Sequence, residues 1–392
     1  MNIEIREKSL AKKLNSMKEI IKALSKDVIV GLRTIDDSYD NIYYGKIIKY
    51  KDNLLDFLAY DDKGEENTII QVGSSDIVSF DTNSANTDYL TKVINNKDKF
   101  TTKKEGTITG SKVSEHLHYL WENEIPALYH TIVKDEFYAY LIGYNENTII
   151  LRSFNPYYNI DNGIICFPID TIEKICVYKP ELNIYPYLYE NRIEIAKYHL
   201  ESTDIRSDFF HRTMNKKILV DVQNSTDIKN EEAIVGYVES IRNDRICFRK
   251  INDDGIECGQ EEYNIKDIVT FGCGGSYLDR IGLLYTNEIS KSAKEDIIII
   301  SDSNKLKSIL FDAKEKGTIV SLISDETENE YIESTGFLID IKKDWIHLNL
   351  YDIEENHWYE CYRRIKDFSK LRENGITELL VKAILEKQKH SI

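Results

Sequence analysis

Two near-identical pentapeptides, Asp76-Ile-Val-Ser-Phe80 and Asp267-Ile-Val-Thr-Phe271, lie 191 residues apart. The glycines that precede them, Gly45 in YYGKIIKY and Gly236 in IVGYVESI, keep the same offset, and so do Gly64 and Gly255. Three markers in one register make a repeat, and half the period locates a second copy at Ala139 in AYLIGYNENTIIL. A fourth begins at Gly336 in GFLIDIKKDWIHL. The spacing between anchors, roughly 95–100 residues, is domain-sized, so the chain must fold as four related domains and not as a solenoid of small units.

Each copy carries the same local grammar. A turn former sits eight residues past the anchor: Asn53, Asn147, Asp244 and Asp344. Such side chains tolerate positive φ and bond their own backbone, which suits a tight hairpin. Apolar residues follow at alternate positions (Leu55/Phe57, Ile149/Leu151, Ile246/Phe248, Ile346/Leu348). Period two across a polar turn predicts paired antiparallel strands with one buried face. Counting the strand before each anchor and the one ending each copy gives about five short strands per unit. Stripes at helical spacing, such as Leu10, Leu14, Met17, Ile21 and Leu24, fill the gaps, with further helices expected at 113–121, 188–200 and 306–313 and a closing helix after Gly375. The expected fold is mainly β with intervening helices: four tandem five-stranded small β-barrels, each preceded by a helix. The expected boundaries are 1–98, 99–186, 187–286 and 287–392, the last with a C-terminal helix.

The stretch GKIIKYKDNLLDFL resembles the first signature of Sm-like (LSm) proteins, with Gly45, Asp52 and Asn53 in the matching places. The resemblance implies the helix-then-five-strands fold, an implication a generic SH3-like barrel shares. It does not bring the family's RNA site. The slot where RNA-binding members carry Asn holds Leu55, Ile149, Ile246 and Ile346, and no Arg-Gly pair precedes any last strand.

Charge and composition bound the partners. At a formal −16 the chain repels polyanions except through a local basic face. The first helical stripe offers one, with Lys8, Lys12, Lys13, Lys18, Lys22 and Lys26 against Glu19. No apolar run approaches the ~18 residues of a membrane span, and the N-terminal MNIEIREKSL has no apolar h-region, so neither a membrane role nor a secretory signal is expected. Six scattered cysteines without C-x-x-C read as reduced thiols of a cytoplasmic protein.

Chemistry-bearing motifs are sparse. The loop Phe271-Gly-Cys-Gly-Gly-Ser276 lacks the Lys-Ser/Thr of a phosphate loop and falls where an exit turn is due. His116 and His118 are two apart on an expected helix and point away from each other. Cys361 and His357 are neighbours in sequence without an orienting partner. The acidic pairs Asp36-Asp37, Asp61-Asp62 and Asp253-Asp254 fall on turns. The 26 tyrosines stand out, among them Tyr43, Tyr44, Tyr138, Tyr140, Tyr157 and Tyr158. Such rings serve protein interfaces or stack on bases, and β-sheets also favour them. With Lys12 and Lys13 they form the candidate binding surface. The expected function is therefore a non-catalytic multivalent binding or scaffold protein with protein partners and no cofactor. A nucleic-acid or nucleotide binder comes second, and an enzyme with an inter-barrel site third.

Overall fold

The computed structural model describes residues 17–24, 28–35, 42–99, 104–110, 112–132, 136–189, 204–224, 233–294, 296–300, 302–325 and 331–390. Lys12 and Lys13 lie outside them, as do most of the basic stripe and most of the helix expected at 188–200.

The first copy holds α1 (17–24), β1 (Val30–Thr34), β2 (Tyr43–Lys51), β3 (Leu54–Tyr60), β4 (Glu66–Gly73), β5 (Ile77–Thr82) and α2 (Ala85–Asn96). The second runs β6 (Gly106–Thr109), α3 (Lys112–Glu122), β7 (Ala127–Thr131), β8 (Glu136–Tyr144), β9 (Thr148–Asn155), β10 (Ile160–Pro168), β11 (Ile172–Val177) and α4 (Pro180–Leu188). The third has α5 (Ile205–Lys216), β12 (Val220–Asn224), β13 (Ile234–Arg242), β14 (Arg245–Ile251), β15 (Glu257–Asn264), β16 (Ile268–Cys273), α6 (Gly275–Thr286) and the short α7 (Ile289–Ser292). The fourth comprises β17 (Ile297–Ile299), α8 (Ser303–Lys316), β18 (Val320–Asp325), β19 (Tyr331–Lys342), β20 (Trp345–Asp352), β21 (His357–Arg364), β22 (Lys370–Arg372) and α9 (Ile376–His390).

The anchors occupy one structural position. Gly45, Ala139, Gly236 and Gly336 pair with Val30, Ala127, Val220 and Val320, each the first residue of its β1-type strand. The register slips two residues beyond each anchor, a β-bulge repeated four times. The glycine has a steric reason. A Cβ on Gly45, Gly236 or Gly336 would lie 1.9, 2.0 and 2.0 Å from the carbonyl oxygens of Leu58, Arg249 and Asn349. Past the bulge, Asp52-Asn53 and Asn243-Asp244 both take positive φ, as a primed two-residue hairpin requires.

The strands do not close into barrels. Within each copy the order is fifth, first, second, third, fourth, but the whole set forms two eleven-stranded antiparallel sheets. The seat that would close a barrel is taken by a strand from another copy. In one sheet the fourth-copy strand β21 pairs with β5, setting Cys361 opposite Asp81 and Tyr362 opposite Phe80. In the other, β10 pairs with β16 in the same sense, Ile165 opposite Gly272. Fourth-to-fifth pairing thus joins the copies, and four separate closed barrels are replaced by two shared sheets.

The chain divides accordingly into two compact units, residues 1–98 with 293–392, and residues 99–292. In the first unit, α1 lays Met17, Ile20, Ile21 and Leu24 onto Val30, Leu32, Leu55, Phe57 and Phe80, while α8 and the fourth-copy strands build their own core around Leu306, Leu310, Ile346 and Leu348. In the second unit, one core lies beneath α3 (Val113, Leu117, Leu120) and another joins Phe210, Phe248 and Phe271 of the third copy to Tyr140, Phe154 and Tyr185 of the second. No helix among the described residues is long and apolar enough to cross a membrane.

Candidate interaction edges and polar sites

Sheet edges are defined by what lies beside each fifth strand. β5 and β16 each have a fourth strand from another copy there, whereas β11 and β22 are covered by β6 and β17 from their own copies. The end strands of the two sheets are therefore β4, β15 and the short β6 and β17. The two longer edges differ in charge. β15 reads ECGQEEYN, and its acids pair back onto β14: Lys250 to Glu261 at 2.6 Å and Arg245 to Glu262 at 3.6 Å. β4 reads ENTIIQVG, with Glu66 its one charge. Its outward Ile69 is 64% exposed, in register with Leu58 and Lys46 across β3 and β2, while Ile70 and Val72 face the core. Charged side chains normally guard such an edge, and β4 has almost none.

A second recurring feature is one register position on the face turned from the core. The residue after the anchor's partner opposes a fifth-strand residue, giving the pairs Gly31–Asp81, Leu128–Cys176, Asp221–Gly272 and Ser321–Arg372. Each holds a polar or sulfur group, buried at Asp81, Cys176, Ser321 and Arg372 and largely enclosed at Asp221. The first and third are mirror solutions, for the carboxylate comes from the fifth strand in one and from the first strand in the other, with glycine opposite. A Cβ on Gly272 would lie 2.6 Å from Asp221 Oδ1. Burial raises the Asp221 carboxyl to about 6 against a small opposing effect of its own backbone N–H. Burial also lifts the neighbouring Cys273 thiol to about 11 and the Cys166 thiol well above its ordinary value, with Asp221 adding to both. In the fourth copy, Arg372 is buried with two acids. Its Nε donates to Glu378 Oε1 at 3.1 Å and its Nη2 to Glu333, while Ser321 Oγ donates to Glu333 at 2.9 Å.

In the second copy the position holds a thiol and an imidazole. His130 Nε2 is 3.6 Å from Cys176 Sγ, and His130 Nδ1 is 2.7 Å from Glu136 Oε1. These residues come from β11, β7 and β8, and no sequence motif connects them. The sequence-adjacent pair Cys361 and His357 does not form a dyad: Cys361 is buried beside Asp81, and His357 bonds the Asn83 carbonyl at 2.7 Å.

The tyrosines singled out by the sequence are divided between the two units, Tyr43 and Tyr44 in the first and Tyr138, Tyr140, Tyr157 and Tyr158 in the second. Tyr140 is core, stacked on Phe154 at 5.2 Å. Tyr138 donates to Glu181 at 2.6 Å and meets Tyr157 edge-on, and Tyr157 in turn contacts Tyr158. Tyr43 packs on the first-copy core, and Tyr44 lies against Gly31. His116 contacts its own helix carbonyl at Lys112, and His118 contacts Tyr144 at 3.1 Å. The glycine loop is the turn into α6, with Gly274 and Gly275 at positive φ packed on the backbone of Asn162 and Gly163. All six cysteines are unpaired. Among the described residues, no group of three or more His, Cys, Asp and Glu side chains could hold a metal ion. No protein-family model matches the chain, and no curated protein matches its sequence.

Proposed function

We propose that this protein is a non-catalytic, multivalent binding protein that captures extended segments of protein partners by adding their strands to its sheet edges. In this reading each copy is an opened small barrel of the Sm-like or SH3-like kind, working in a reducing cytoplasm that suits six unpaired thiols. One observation carries the proposal: the chain joins its own copies by fourth-to-fifth strand pairing twice, and leaves the fourth strands β4 and β15 at the ends of the sheets. An added strand gains main-chain hydrogen bonds on such an edge, and side chains at alternate positions give selectivity. At β4 the fitting partner is an extended segment with apolar residues at every second position, to lie beside Ile69 on one face. Two edges on one polypeptide raise avidity without a tight single site.

The test is selection of a random dodecapeptide display library on the full chain, followed by hydrogen exchange with the selected peptides. The reading expects alternating apolar sequences that slow exchange in residues 66–73 and lose binding to Ile69→Lys. A library that yields no enrichment, or peptides that bind the Ile69→Lys chain equally well, defeats it.

A further inference from the structure

One of the two thiols of the second copy, Cys176, stands apart from the other five cysteines. Cys176 Sγ faces His130 Nε2 at 3.6 Å, within reach of a sulfur hydrogen bond, and His130 Nδ1 is fixed on Glu136 at 2.7 Å. A carboxylate on Nδ1 takes that N–H and leaves Nε2 as the ring's acceptor, directed at the sulfur; this is the nucleophile, base and orienting acid order of activated thiols. Among the described residues no other cysteine, half-buried Cys247 included, is placed against an imidazole in this way. Cys166 and Cys361 are buried thiols that hold their protons, as does Cys273. Cys258 is exposed but gives its S–H to the Ile256 carbonyl.

We propose that Cys176 is a peroxide-reactive modification site, with His130 as its base and Glu136 as the residue that positions the base. Cys176 is 5% exposed, so the reactant is small, of the size of hydrogen peroxide and not of a glutathione disulfide. In the step, Nε2 takes the thiol proton and the sulfur gives an electron pair to one peroxide oxygen. The S–O bond forms as the O–O bond breaks, and the departing hydroxide takes the proton from His130 and leaves as water. Sulfur is oxidised to the sulfenic acid and the peroxide is reduced to water.

The experiment treats the folded full chain with hydrogen peroxide, stops it with catalase, denatures in guanidinium with dimedone, and reads all six cysteines by peptide mass spectrometry. Cys176 is expected to label first, ahead of the more exposed Cys258. His130→Asn should slow Cys176 by about a hundred-fold, the low end of what a positioned base supplies, and Glu136→Gln, at a side chain 59% exposed, should slow it by less. A purely structural role predicts the opposite sign, because a loosened site exposes Cys176 and speeds its labelling. Cys258 labelling before Cys176, or a Cys176 rate unchanged or raised in both variants, overturns the proposal.

Discussion

Asp221→Asn should stabilise the unit formed by residues 99–292, and do so more at high pH than at low. The folded carboxyl sits at about 6 because burial disfavours its charge, whereas the same group in the unfolded chain titrates at 3.8. Between those values the unfolded state sheds a proton that the folded state keeps, so raising the pH favours unfolding. A gap of about two units amounts to roughly 3 kcal/mol at pH 8 and to about 1 kcal/mol at pH 4.5. Asparagine has the same shape and does not ionise, so it removes that loss. For a unit of this size the melting temperature should rise by about 6–12 °C at pH 8 and by about 2–4 °C at pH 4.5. The assay is calorimetry of the full chain, with hydrogen exchange of peptides covering β12 and β16 to assign the transition. The diagnostic quantity is the growth of the difference with pH. A difference that stays constant between pH 4.5 and 8, or that shrinks, would refute the reasoning about the buried carboxylate.

Other perturbations follow from the same geometry. Gly236→Val places a side chain where even a Cβ meets the Arg249 carbonyl at 2.0 Å and the Phe248 ring at 2.7 Å; urea unfolding should show a loss of about 1–3 kcal/mol or more. Arg372→Leu leaves the buried Glu378 and the half-buried Glu333 without their cation, and should cost about 3–5 kcal/mol in the same assay. Asp221→Gly combined with Gly272→Asp transplants the arrangement of the first copy into the third. The double variant should be more stable than Gly272→Asp alone, with a coupling of about 0.5–3 kcal/mol in a double-mutant cycle.

Much of the local fold was legible because it is written four times. The anchor spacing fell on one register position, and the turn formers Asn53 and Asp244 took the positive φ that their side chains tolerate. Burial of Leu55, Ile149, Ile246 and Ile346 followed from period two alone. What escaped was the partner of each edge. Alternation tells which face of a strand is buried, but says nothing about which backbone lies beside it, so sharing of strands between copies replaced the expected closed barrels. The covering strands β6 and β17 have four and three residues, too few for a periodic signal. The helix expected at 188–200 lies mostly outside the described residues, and α4, which begins at Pro180 with proline in its first turn and ends at Leu188, was not anticipated. A Tyr-Leu pair recurs in the helix after the fifth strand of three copies (Tyr89-Leu90, Tyr187-Leu188, Tyr277-Leu278); all three leucines are buried, but Tyr187 and Tyr277 are exposed, so the leucine carries the packing contact. Cys176 and His130 are 46 residues apart and meet only through strand register. The exchange of Asp and Gly between the first and third copies becomes visible only once that register is known.

Residue-resolved hydrogen exchange on the intact chain probes the sharing of edges most directly. A strand with neighbours on both sides protects every amide, whereas an edge strand protects alternate ones. The account predicts continuous protection through residues 79–82 of β5 and 360–363 of β21, with an alternating pattern along β4 at 66–73. Alternation in β5 and β21, or continuous protection of β4 in the isolated protein, would contradict it.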